Sequence, residues 1–133
     1  MNRVFAFASL MLSVGCQAKL TVSKNYTLPD DSDIAKILEM PPQTSEQTLK
    51  ISVKVKSGDP IDVFVVKSSD AGNIIGTSAK EKKEWEQKGL GFQRDLKDSS
   101  FTVKIPPNTP YKVIAIQSDS AKAKSEFELK VTN

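Results

Sequence analysis

Few residues in this chain are equipped for covalent chemistry. There is one cysteine, Cys16, and no histidine. The missing histidine removes imidazole general bases, Ser-His-Asp triads and histidine metal ligands together. Ser68-Ser69-Asp70 and Asp98-Ser99-Ser100 offer serines beside acids. Without histidine such a serine needs a lysine base, and none sits in a Ser-Lys motif, so both triplets read as turns. Asp30, Asp31 and Asp33 form an acidic group. It lacks the spacing of a calcium loop and reads as a solvated linker or a helix cap. No metal site, no cofactor and no catalytic residue is expected. Lys80, Lys82, Lys83 and Lys88 surround Trp85 and lie near Phe92, which makes Trp85, Phe92, Lys82 and Lys83 the candidates for a partner-binding patch. Glu81, Glu84 and Glu86 interleave with the lysines, so the plainer reading is a solvated helix face. A formal net charge of +3 is too small to imply nucleic acid as partner. Asn25-Tyr26-Thr27 fits the N-glycosylation pattern, which has meaning in a eukaryotic source alone.

Cys16 takes its meaning from what precedes it. Met1-Asn2-Arg3 is positively charged, Val4 to Val14 is a short apolar run, and Gly15 stands directly before the cysteine. This is the layout of an export signal, and the run is shorter than the ~20 residues of a comfortable membrane span. Leu12, Val14 and Gly15 ahead of Cys16 resemble the lipobox of bacterial lipoproteins. Ser13 stands where that motif usually has leucine. The resemblance implies that the Cys16 thiol receives a diacylglycerol, that an acyl chain such as palmitate is added, and that Cys16 becomes the first mature residue. It also implies a cell-envelope location. With Gln17 after the cysteine, that location would be the outer membrane in a Gram-negative host. Cys16-Gln17-Ala18 offers a rival cut after Ala18, which would release a soluble secreted protein.

The remaining residues must form the domain that this address delivers. The expected organisation is a signal peptide over 1–15, a lipidated Cys16 with a flexible tether over 16–33, and a folded domain over 34–133. Within the tether, Lys19 to Leu28 has a weak edge-strand signal. Ile34, Ile37 and Leu38 fit one or two helical turns, with a short strand as the alternative, and Pro41-Pro42 ends either one. Leu49, Ile51, Val53 and Val55 alternate with Lys50, Ser52, Lys54 and Lys56, the pattern of a strand with one solvated face. Ser57-Gly58-Asp59-Pro60 is a turn, and Ile61 to Val66 is an apolar strand expected to be covered on both faces. The two strands are expected to pair as a hairpin. Ser78 and Glu81 fit a capping box that opens a helix over Ala79–Lys88, closed by Gly89 and anchored by Trp85. Ser100–Ile105, Tyr111–Gln117 and Glu126–Val131 complete the strands, with Gly91–Leu96 as a possible addition. Short strands separated by Pro, Gly, Ser and Asp turns predict an all-β fold, an antiparallel β-sandwich with one or two short helices.

Residues 49–132 resemble the bacterial pre-peptidase C-terminal domains and GOLD-like sandwiches. The resemblance is carried by the IDVFVV strand after a Gly-Asp-Pro turn, by FTVKIPPNTPYKVIAIQS, and by the alternating last strand. It implies an accessory, non-enzymatic domain. The expected function is therefore a membrane-anchored lipoprotein whose sandwich binds a protein or an envelope component. Two other binding roles stay open. One is a secreted carbohydrate- or surface-binding module with Trp85, Phe92 and Tyr111 as aromatic candidates. The other is a small inhibitor or immunity-type lipoprotein that acts through residues 67–98.

Overall fold

The computed structural model describes residues 20–30, 34–71 and 79–133, with side chains in the helix from residue 82 onward. Cys16, the cut after Ala18, Asp31, Asp33 and the Ser78–Glu81 capping box lie outside what is described. Among the described residues, eight strands and one α-helix follow in chain order: β1 (Thr21–Leu28), β2 (Ala35–Met40), β3 (Gln47–Ser57), β4 (Ile61–Lys67), α1 (Ala79–Lys88), β5 (Gly91–Leu96), β6 (Asp98–Ile105), β7 (Tyr111–Gln117) and β8 (Ser125–Thr132). A 3-10 turn over Ser68–Asp70 follows β4. The strands form two four-stranded sheets, sheet A in the order β1-β8-β3-β6 and sheet B in the order β2-β7-β4-β5. Every pairing is antiparallel. This is the all-β antiparallel sandwich that the alternation predicts.

The two sheets bury a common core. Sheet A contributes Leu49, Ile51, Val53, Val103, Ile105, Phe127, Leu129 and Val131, and sheet B contributes Ile61, Val63, Val65, Tyr111, Val113 and Ala115. Fully burying an aliphatic or aromatic side chain of this size contributes roughly 1.5–3 kcal/mol, which makes this core the main source of stability. A second, smaller core lies on the other face of sheet B. Phe64, Val66, Ile114 and Ile116 meet Ala71 and Trp85 there. This explains the unbroken apolar run of β4: one face looks at sheet A, the other at α1.

The hairpin expected from residues 48–66 does not form. β3 lies between β8 and β6, and β4 lies between β7 and β5 in the opposite sheet. The physical reason is that strands of one sheet share their two environments. β3 has a lysine-bearing outer face and β4 an apolar one, so they belong to different sheets. Their connection crosses between sheets at Gly58, whose φ of +94° is open to glycine, and a Cβ there would lie 2.0 Å from the Lys124 carbonyl oxygen. Asp59 then holds the facing loop by accepting hydrogen bonds from the Lys122 and Ala123 backbone N–H groups at 2.7 and 2.8 Å.

Two open alternatives are decided at the sheet edges. Residues 35–40 form a strand instead of helical turns, because Ala35–Met40 pairs in full register with Ile116–Tyr111. Of the expected flexible tether, Thr21–Leu28 is an edge strand paired with all of β8. The folded domain thus takes in Leu20 onward. Lys24 sits opposite Leu129 on the core side of this edge yet stays exposed. A charge at such a position discourages another strand from adding there.

Candidate functional site

The four residues singled out beside the helix do not form one surface. Residues 82 and 85 are three apart and share the inner face of α1; residue 83 falls on the outer face. Trp85 is 4% exposed, with its ring centroid 5.6 Å from that of Phe64. Lys82 is 3% exposed. Lys83 is exposed on the outer face. Phe92, 41% exposed, sits on β5 and stacks against Phe64 at 6.1 Å between centroids. Tyr111 is buried in the core. Trp85, Lys82 and Tyr111 are thereby removed as contact residues for a partner, and Lys83 and Phe92 remain at the surface.

What Lys82 does instead is neutralise a buried carboxylate. Asp62 interrupts the apolar run of β4 and faces α1. Its register with β5 is broken between Ile61 and Val63. The Asp95 N–H, on a residue with φ of 57°, donates to Asp62 Oδ1 at 2.8 Å. Lys82 Nζ donates to Asp62 Oδ2 at 3.0 Å, to the Gln117 carbonyl at 2.9 Å and to Asp119 Oδ1 at 2.7 Å. Those three bonds use every donor of an ammonium group. Arg94 extends the network: Nη1 donates to Asp119 Oδ2 at 2.9 Å, Nε donates to Glu86, and the guanidinium carbon lies 5.8 Å from the Phe64 ring centroid. The hydrogen bond from Lys82, aided by its charge and by Arg94, holds the Asp119 carboxyl below the usual carboxylate range. Glu86 and Asp119 raise the Arg94 guanidinium. All three donor positions of Lys82 Nζ are taken up by Asp62, Gln117 and Asp119, so this cluster locks α1 to sheet B.

Polar side chains gather on the outer face of sheet A. A shallow groove of about 330 Å³ is lined there by Ser52, Val53, Lys54, Asp98, Ser99, Ser100, Glu128 and Lys130. The strand register builds it. Lys54 lies between Glu128 on β8 and Asp98 on β6, and Ser52 lies between Lys130 and Ser100. Ser23 on β1 donates to Glu128 Oε2 at 2.8 Å. Hydroxyls and charges of both signs are thus ordered in two rows across the sheet. Such a surface can hydrogen-bond a polar chain along its length. It is open to water, which is the wrong setting for activating Ser100 as a nucleophile, and Ser99 pairs with core-facing Val53 on the other side of the sheet. Ser68 and Ser69 lie in the 3-10 turn.

Among the described residues no group of three His, Cys, Asp or Glu is placed to hold a metal ion, and no helix is long and apolar enough to cross a membrane. Of residues 67–98, the described parts are built into the fold as the end of β4, the 3-10 turn, α1, β5 and the start of β6.

No family model matches the chain, and no curated protein does. Solved structures do. The pre-peptidase C-terminal domain of a collagenase from Bacillus anthracis superposes with a TM-score of 0.58 at 16% identity, over 84% of this chain and 89% of that one. PliG of Aeromonas hydrophila, a periplasmic inhibitor of g-type lysozyme, gives a TM-score of 0.47 at 12% identity, over 86% of this chain and 84% of its own. The collagenase likeness supports the fold resemblance drawn from residues 49–132 and is a likeness of fold alone.

Proposed function

We propose that this chain is a non-enzymatic binding module, held to a membrane through acylated Cys16, that recognises a polar protein segment or envelope polymer on the outer face of sheet A. One observation carries the binding part. The buried charges Asp62 and Lys82 are consumed in joining α1 to the sheet, whereas hydroxyls and charges of both signs stand in register on the open groove around Lys54. Recognition needs such an ordered set of donors and acceptors; catalysis needs a group poised out of water. The anchor part rests on the lipobox-like residues before Cys16.

Two measurements test this reading. The intact mass of the N-terminal peptide from native membranes is expected to begin at Cys16 with added acyl chains, and Cys16→Ser is expected to leave the membrane fraction still folded. A mass beginning at Lys19 would replace the anchor with secretion. For the site, a photo-crosslinking residue at position 100 is expected to capture an envelope component, and Lys54→Glu with Lys130→Glu is expected to abolish the capture. Capture from position 83 on α1, with none from position 100, would move the site to the other face.

A further inference from the structure

We propose that the sandwich stands directly on the membrane, with the end formed by Leu20, Asn133 and the proline-rich loops 41–46 and 106–110 resting against lipid headgroups. This rests on acylation of Cys16. The first observation is a length. Three residues, Gln17, Ala18 and Lys19, separate Cys16 from Leu20. Four Cα steps span at most ~14 Å even when fully extended. The polar interface of a bilayer is about 5–8 Å deep per leaflet, so this reach leaves no room for a stalk.

Leu20 itself is tied down. Its N–H donates to Asn133 Oδ1 at 2.7 Å, and its carbonyl accepts from the Asn133 N–H at 3.2 Å. Asn133 Nδ2 donates to Gln47 Oε1 at 3.3 Å, which brings the start of β3 to the same end. The two loops at this end are joined to each other, because the Asn108 N–H donates to the Gln43 carbonyl at 2.6 Å. The attachment point is therefore fixed to one end of the sandwich.

The second observation is the chemistry of that end. Five of the seven prolines, Pro41, Pro42, Pro106, Pro107 and Pro110, lie in these two loops, and Glu46 is their single charged side chain. Proline presents an apolar ring and has no N–H to leave unpaired. The Ser68 N–H donates to the Pro110 carbonyl at 3.0 Å, so exposed Lys67 and Asp70 stand at this end as well and can meet polar headgroups. It is the short connection to Leu20 that holds this end at the bilayer. The groove around Lys54 then lies on the flank of the sandwich, with its strands running away from the membrane. β1 alone carries the far loops about 26 Å farther out, at ~3.3 Å per residue.

The acylated protein is reconstituted in phosphatidylcholine vesicles that contain a headgroup spin-labelled lipid. Pro107→Cys and Lys122→Cys variants each carry a fluorophore on the new thiol. Quenching at position 107 is expected to exceed that at position 122 several-fold. Equal quenching, or stronger quenching at 122, in protein whose N-terminal mass confirms the acyl chains would overturn the orientation and leave the anchor standing. A mass without acyl chains, and no vesicle binding, would overturn both.

Discussion

Lys82 on α1 and Asp62 on β4 meet at 3.0 Å between Nζ and Oδ2, with their side chains 4% and 1% exposed. Removing Asp62 leaves the buried Lys82 ammonium with the more exposed Asp119 as its remaining ion-pair partner, and leaves the Asp95 N–H without its acceptor. Asp62→Ala is expected to destabilise the fold by about 3–5 kcal/mol. Asp119→Ala, which removes a partner 58% exposed, is expected to cost under about 1 kcal/mol. Replacing both members of the pair, as in Asp62→Leu with Lys82→Met, is expected to recover most of the first loss. Urea midpoints at neutral pH decide among the three, and equal losses for Asp62→Ala and Asp119→Ala would contradict the assignment.

Trp85 is the single tryptophan and is buried against Phe64. Trp85→Ala is expected to cost about 3–5 kcal/mol through lost burial and the cavity left behind. Lys83→Ala, on the outer face of the same helix, is expected to stay within about 0.5 kcal/mol. Thermal melts measure both. An unchanged melting temperature for Trp85→Ala would return this residue to the surface.

Acid is expected to weaken the fold through two carboxylates. Backbone N–H groups of Ala123 and Lys122 hold Asp59 below its ordinary range, and Lys82 does the same for Asp119. A carboxyl with a lowered folded pKa binds protons less readily than its unfolded counterpart. Its stabilisation is present above the unfolded value and is lost as pH falls through the folded one. The denaturation midpoint should therefore hold steady down to about pH 4 and drop below it. Asp119→Asn should flatten part of that drop. A profile identical to that of the parent protein would show that Asp119 carries none of the dependence.

Gly58 marks the crossing between the sheets. With φ of +94° and the Lys124 carbonyl oxygen 2.0 Å from a Cβ, Gly58→Ala is expected to destabilise by about 1–3 kcal/mol. Pro107→Ala, in an exposed turn position, is expected to change little. Chemical denaturation of the two variants tests the contrast.

The strands that could be read in the sequence are those with many buried positions. β3 and β8 alternate strictly because one face of each lies on the core. β1 and β2 were harder to read because they are edges: each has one fully buried residue, Leu28 or Met40, and gives little periodic signal. Pairing was harder still. Ser57-Gly58-Asp59-Pro60 says that the chain turns, and it is the contrast between a lysine-bearing and an apolar outer face that says the chain changes sheet. The network around Lys82 draws on Asp62, Arg94 and Asp119 from separate segments, so no local spacing encodes it. Its one signal was Asp62 itself, a lone acid inside Ile61–Val66, which demanded a cation from somewhere. The groove around Lys54 had no signal beyond polarity, because register across three strands assembles it.

The placement of β1 has a consequence for timing. Its single strand neighbour is β8, and Leu20 bonds to a residue 113 positions later. In a chain that emerges amino end first, from a ribosome or through a translocation pore, β1 waits unpaired while β2 to β7 appear. Sheet A closes once Ser125–Thr132 is free to enter it. A pairing of such long range forms slowly. The connectivity itself thus delays completion of the sandwich until nearly all of the described chain has emerged.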